Sequence, residues 1–336
     1  MNTTGLVRYA GALVAVAICS ACAGGAVGPS NGALNAGYTD GVLPVNGRLV
    51  TAARANLGER PRYATIVPDR EAKSKTIEYI ISDYGTYASI FDYPKSDKQI
   101  GSIANVGGQG CTNVLYGYGK KTIWIVAGAD QITEYRLLTK ARKTLSVSVG
   151  MPSSCAMNTS GDLAVGILYG LGGGDLVIFK NASGSGTVYT TPLVSEYFDG
   201  YDPHGNLYFD GYDGASNFEL DQLPKGSSKA RQITTTNNVD FPGSVQWDGK
   251  YLTVTDQRAD AIYQYTIRGT KATLEGTVSL TGAGDCAQTW IATGVVYCAD
   301  AGNYGAEVFK YPAGGSPIAV FSGSFDVPLG TVAADR

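Results

Sequence analysis

The side chains with the most chemistry to offer are carboxylates in matching places. Asp83, Asp256 and Asp300 each end a short apolar segment, Thr76–Asp83, Gly249–Asp256 and Gly294–Asp300, and Asp210 falls one residue earlier in the similar segment Gly205–Asp210. At the end of a β-strand an aspartate accepts hydrogen bonds from the backbone N–H groups of the next turn. Repeated around a closed fold, the same carboxylates would form a patch for a polar ligand or for a divalent cation such as calcium, whose oxygen ligands stand about 2.4 Å from the ion. Trp247 and Trp290 offer an aromatic platform to a ligand, or two core side chains. The doubled Phe198-Asp-Gly-Tyr-Asp202 and Phe209-Asp-Gly-Tyr-Asp213 sets further acids beside aromatics, a pairing that suits sugars, cations or strand packing.

Other chemistries lack their residues. His204 is the single histidine, in the turn Pro203-His-Gly-Asn206, and no serine or cysteine partner for it is legible. No Gly-x-Ser-x-Gly elbow, P-loop or His-Glu-x-x-His motif occurs, and the run Gly172 to Gly174 reads as a hairpin turn. The net charge is -3, and the longest basic run is the pair Lys120-Lys121, so nucleic acid is not an expected partner.

The elements that would position these acids recur. Segments starting at Thr76, Lys121, Gly161, Gly205, Gly249 and Gly294 return at intervals of roughly 44 residues. Each precedes a second strand carrying Tyr or Phe, such as Ser89 to Tyr93, Leu176 to Phe179 and Val308 to Tyr311. Turns at Pro94, Pro224 and Pro312 then lead to short strands such as Gln99 to Ile103, Ala230 to Thr234 and Ile318 to Phe321. A further strand, marked by Gly110, Pro152, Pro192 or Pro242, leads into the next copy. Four strands per repeat is blade arithmetic: an all-β propeller with six blades of four antiparallel strands. Tyr63 to Pro68 and Leu329 to Ala334 both resemble the innermost strand, so one of them closes the ring or belongs to a seventh, incomplete blade. Asp83, Asp256 and Asp300 would then share one face in consecutive blades, with the second strand about 5 Å further from the axis than the first.

Pro203-His-Gly-Asn-Leu-Tyr208, Leu223-Pro-Lys-Gly-Ser227, Val245-Gln-Trp-Asp-Gly-Lys-Tyr251 and Lys310-Tyr-Pro-Ala-Gly-Gly315 resemble bacterial secreted propellers of the NHL-repeat type, in particular a group of uncharacterised lipoproteins. The resemblance spans most of residues 61–336. It implies the propeller fold and no particular activity, because such propellers serve as scaffolds, sensors and unrelated enzymes.

The first 23 residues read as a signal peptide, with Arg8 ahead of the apolar stretch Ala10 to Ile18 and small residues after it. Cleavage leads either to simple secretion or, through a partial lipobox at Ser20-Ala21-Cys22, to lipidation of Cys22. Residues 24–60 are expected as a flexible tether and 61–336 as the propeller. The four remaining cysteines enter an oxidising compartment. Cys111 and Cys155 lie one repeat apart on successive inner strands, and Cys286 and Cys298 flank a short hairpin. These are the preferred pairs; free buried thiols are the alternative.

Two functions fit. One is an extracytoplasmic scaffold, expected as a monomer without a cofactor, that binds a protein or a small polar ligand at one mouth of the channel and meets a membrane only through a lipid anchor. The other is a metal-dependent lactonase- or lyase-like enzyme. Polar side chains converging on the axis from several blades would favour the enzyme; a channel filled by Cys, Trp and Tyr would favour the scaffold.

Overall fold

Alternating apolar and polar residues, bounded by turn formers, fold into strands that are buried between neighbouring sheets. The computed structural model describes residues 42–45, 48–51, 76–82, 87–127, 130–136, 140–170, 173–321, 325 and 327–335. From the innermost strand outward, blade 2 is Gly110–Thr112, Thr122–Ala127, Gln131–Arg136 and Lys140–Ser146; blade 3 is Gly150–Met157, Leu163–Gly170, Asp175–Phe179 and Thr187–Thr190. Blade 4 is Ser195–Tyr201, Leu207–Tyr212, Phe218–Leu223 and Arg231–Thr235, and blade 5 is Val245–Trp247, Leu252–Asp256, Ala261–Arg268 and Lys271–Ser279. Blade 6 is Cys286–Ala292, Val295–Asp300, Gly305–Lys310 and Ala319–Val320. All pairs within these blades are antiparallel.

Blade 1 is built from both ends of the domain. Its outer strands are Thr76–Ser82, Tyr87–Phe91 and Gln99–Ala104, and its innermost strand is the C-terminal Pro328–Asp335, paired antiparallel so that Pro328 meets Ser82 and Asp335 meets Thr76. Six blades therefore close with Leu329 to Ala334 in the inner place. Tyr63 to Pro68, the signal segment with Cys22, Asp83 and Gly172 lie outside the described residues. Within the stretch expected as a tether, Val42–Val45 pairs with Arg48–Thr51 as a hairpin. Asn46-Gly47 between them is a strong hairpin signal in the sequence.

The core is a set of apolar layers between blades. Phe179 and Val165 pack with Trp124 and Val126 between blades 3 and 2, Tyr265 and Val254 with Leu220 between blades 5 and 4, and Phe309 and Val296 with Ile262 between blades 6 and 5. The aromatic of the third strand recurs in this role: Phe91, Phe179, Tyr265 and Phe309 are fully buried. Truncating one of them to Ala should cost about 3–5 kcal/mol.

Two disulfides fasten the scaffold. Cys111–Cys155 ties the inner strands of blades 2 and 3 with Cα atoms 5.6 Å apart, and Cys286–Cys298 ties the inner and second strands of blade 6 at 5.3 Å. The second bond is diagonal, since Cys286 pairs in register with Asp300 and Cys298 with Thr289 across a bulge. Both bonds fit an oxidising compartment.

Candidate functional site

The inner edges of the innermost strands face the axis, and glutamine amides satisfy them. Gln288 Nε2 donates to Gly110 O at 2.8 Å, while Gln288 Oε1 accepts from Gly110 N at 3.1 Å and Thr331 N at 2.9 Å, joining blades 6, 2 and 1. Gln246 Oε1 accepts from Ile291 N at 2.7 Å, and its Nε2 donates to Ile291 O and Leu115 O at 3.3 and 3.1 Å. Gln109 Nε2 reaches Tyr197 O at 3.0 Å, from blade 2 to blade 4. These side chains act as short stretches of peptide, pairing backbone groups that strand ladders leave open.

One mouth is closed by the blade 2 loop of residues 113–118. Its Gly117 N donates to Ile291 O at 3.0 Å, and Gly117 O accepts from Trp290 Nε1 at 2.7 Å. Tyr116 crosses to blade 5, where a Cβ on Gly249 would stand 2.9 Å from its ring. What remains of the channel is a cavity of about 30 Å³, lined among others by Asp199, Ser244, Trp247 and Trp290. That is room for water and not for a substrate.

Of the aspartates singled out by the repeat, Asp256 and Asp300 are occupied by backbone N–H groups of their own blades. Asp256 accepts from Asp240 N and Phe241 N at 2.8 and 3.3 Å, and from Arg258 N and Ala259 N at 3.1 and 3.2 Å. Asp300 does the same one blade on, taking Gly284 N, Asp285 N, Asn303 N and Asn303 Nδ2 at 2.8 to 3.0 Å. Each carboxylate thereby fastens the approach to the inner strand and the turn that follows. Asp210 does not share their face. Alternation along the strand turns it round, and its Oδ2 accepts from Gly243 N of blade 5 at 3.3 Å. Trp290 is 6% exposed and packed in the core, whereas Trp247 is half-buried at the mouth. His204 is exposed in its turn and joins no other candidate.

The doubled Phe-Asp-Gly-Tyr-Asp divides its acids between turns and strands. Asp202 and Asp213 cap tight turns, each accepting two backbone N–H groups at 2.8 to 2.9 Å. Asp199 and Asp210, buried as Asp202 is, stand within the strands of blade 4 and not in a turn. Asp199 joins Glu196, which spacing did not bring forward, against Ser153 and Ser154 of blade 3. Ser154 Oγ donates to Glu196 at 3.0 Å, and Gly166 makes the room, since a Cβ there would lie 1.8 Å from Glu196 Oε2. Burial, reinforced by the Asp199 charge, holds Glu196 well above the usual carboxylate range, and burial pushes Asp199 up to about 8.

A second group of acids lies between blades 5 and 6. Asp260, Asp285 and Glu307 surround Asp300; burial pushes Asp260 up to about 6 and Glu307 up to about 8, with the Asp300 charge adding to each. Asp285 is held well above its ordinary value by burial and then by Asp300. These three acids carry no repeat signature, because they come from a turn, a strand approach and a third strand of two blades.

No protein-family model matches the chain, and no curated protein matches it. Among solved structures it is similar to a chain in the crystal structure of a nidogen/laminin complex, with TM-score 0.56 and 11% identity over 77% of this chain and 98% of that one. The likeness is one of fold: a β-propeller. A functionally unknown protein from Desulfotomaculum acetoxidans aligns over the same shares at 8% identity and TM-score 0.49.

Proposed function

We propose that the chain is an extracytoplasmic propeller of the secreted NHL-like kind that binds a protein partner through the capped mouth of its channel. The observation that carries this reading is the channel itself, reduced to about 30 Å³ by amide clamps and by the loop of residues 113–118. With no chamber for a small substrate in the channel, recognition at this mouth falls to its outer surface. On that surface Tyr116, 43% exposed, lies against Gly249, two residues from half-buried Trp247, both aromatics of the kind enriched at protein interfaces. The signal-like leader supports export, the two disulfides suit an oxidising compartment, and Cys22 is the candidate for a lipid anchor. The similar propeller belongs to a nidogen/laminin complex, which shows the fold in a protein assembly.

The test is a photo-crosslinking side chain placed at Tyr116 of the full chain in its native envelope, with Val188, equally exposed on the outer strand of blade 3, as comparison. A discrete adduct from position 116, absent from position 188 and lost with Trp247→Ala, supports the reading. Equal adducts at both positions, or turnover of a lactone abolished by Asp199→Asn, would overturn it.

A further inference from the structure

The pair Lys120-Lys121, too short a run to bind nucleic acid, does not stand alone once blade 2 has folded. Residues 110–146 carry six Lys and Arg against two Asp and Glu, a charge of +4 within a chain of net charge -3. Strand register gathers this charge on one side. Trp124 is level with Glu134 and Lys143, and Thr122 is level with Arg136 and Lys140. Alternate residues share a face, so Glu134 and Arg136 lie on the face that Trp124 packs against blade 3. A bulge at Arg142 interrupts the outer strand, and Arg142 and Lys143 both reach the same side.

Where the apolar layer between blades 2 and 3 ends, a cleft of about 610 Å³ opens, a size that suits a small ligand. Lys120, Lys121, Arg136, Arg142 and Lys143 line it against a single carboxylate, Glu134. Glu134 Oε1 holds Arg142 Nη1 at 3.4 Å, and Lys143 Nζ donates to Ala182 O of blade 3, so these two cations are steadied by the protein. Lys120 N donates to Asn113 Oδ1 at 2.8 Å, which ties the cleft to the base of the capping loop. Among the described residues no ion pair engages Lys120, Lys121 or Arg136, and all three are exposed. Asp162, in the adjoining turn of blade 3, already accepts from Asn181 N and Asn158 Nδ2. Lys121, Asn181 and Ala182, all lining the cleft, hold φ values of 61, 50 and 45°. Residues other than glycine rarely adopt that conformation, and it collects at ligand clamps.

We propose that the cleft between blades 2 and 3 binds a small polyanion carrying two phosphoryl groups. Five cations against Glu134 leave four positive charges, and exposed Asp335, level with Lys120 in the parallel ladder, is the other acid at hand. Two phosphoryl groups at roughly −1.5 to −2 each match that excess, whereas one carboxylate does not. The side chains suit the same chemistry: Arg136 and Arg142 offer planar forks to phosphate oxygens, and Lys120 and Lys121 offer point charges. Asn113, Thr122 and Asn181 add neutral hydrogen-bonding groups for the rest of the ligand. The site stands independently of what the capped mouth binds, since neither Tyr116 nor Trp247 lines it.

The full chain, in buffer free of phosphate, is titrated by calorimetry with inorganic pyrophosphate and, separately, with citrate. Saturable binding of one pyrophosphate per chain is expected, with citrate weaker. Arg136→Gln and Lys120→Gln change exposed side chains without ion pairs, so Tm should stay at the parent value. Each should nevertheless weaken pyrophosphate by roughly tenfold or more, the worth of one charge-assisted contact. Lys225→Gln, in an exposed turn of blade 4, should leave binding intact. Flotation with phosphatidylcholine vesicles containing phosphatidic acid separates the sources of the phosphate. Capture that pyrophosphate reverses assigns a lipid headgroup, and no capture assigns a free phosphoester. Absence of saturable pyrophosphate binding by the folded parent chain would overturn the proposal. So would equal losses in Arg136→Gln and Lys225→Gln, citrate binding as tightly as pyrophosphate, or vesicle capture that pyrophosphate does not reverse.

Discussion

The side-chain amide of Gln288 pairs with the peptide of Gly110 as one strand pairs with another, donating to its carbonyl at 2.8 Å and accepting from its N–H at 3.1 Å across 178 positions of sequence. It also accepts from Thr331 N, so one side chain holds the inner strands of blades 6, 2 and 1 together. Replacing Gln288 with Ala withdraws these partners from buried backbone groups and should cost about 2–4 kcal/mol. Gln288→Glu should be at least as damaging, since a carboxylate cannot donate to Gly110 O. Urea unfolding measures both, and a loss within experimental scatter would mean that the clamp is not needed.

Ring closure predicts an effect of truncation. Removing residues 328–336 takes the innermost strand from blade 1 and opens the contact of that strand with the inner strands of blades 2 and 6. Unfolding should lose its single cooperative transition, and limited proteolysis should cut first within residues 76–104. A truncated chain with the parent's cooperative melt would refute the closure.

The buried acids predict the direction of the pH effect. Asp199 and Glu307 are pushed up to about 8 in the folded chain, whereas an unfolded chain releases these protons near pH 4 (about 3.9–4.3). Between these values the folded state holds more protons, so its stability is full below about pH 4 and is lost as pH rises through about 8. In chelator, Tm should therefore fall from pH 5 to pH 8 (roughly the window the two groups span), and Asp199→Asn should flatten that slope. A Tm that rises over this window in chelator would contradict the assignment.

The two disulfides close loops of different size, with separations of 44 and 12 residues. The chain-entropy relation gives about 4 kcal/mol for the first and about 3 kcal/mol for the second. Paired Cys→Ala variants compared by urea unfolding should therefore rank Cys111/Cys155 as the costlier loss. The reverse order would point to the hairpin of blade 6 as the weaker scaffold.

Much of the fold was legible because its signals are local. The aromatic of the third strand, the Pro and Gly turns and the period of the repeat are set by each blade's own geometry, and one repeat length and one hairpin made the two observed cysteine pairs the preferred ones. Asp256 and Asp300 were legible as a pattern, but a pattern at a strand end does not reveal whether a carboxylate faces a ligand or its own backbone. Glu196, Asp260, Asp285 and Glu307 gave no signal, being scattered acids in a chain with many others. Gln246 and Gln288, both buried on innermost strands of successive blades, were a signal that could have been used.

By itself the sequence determined the blade and its strand order, since alternation and turn chemistry act over a few residues, and it favoured the cysteine pairing that the structure shows. Only the tertiary structure decided which terminal segment closes the ring, because the choice depends on which strand lies beside Thr76–Ser82 once six blades have come round. It also decided that glutamines fill the channel and that acids from two blades meet around Asp300. Those outcomes rest on burial and on partners up to 178 positions apart, which chain closure alone brings together.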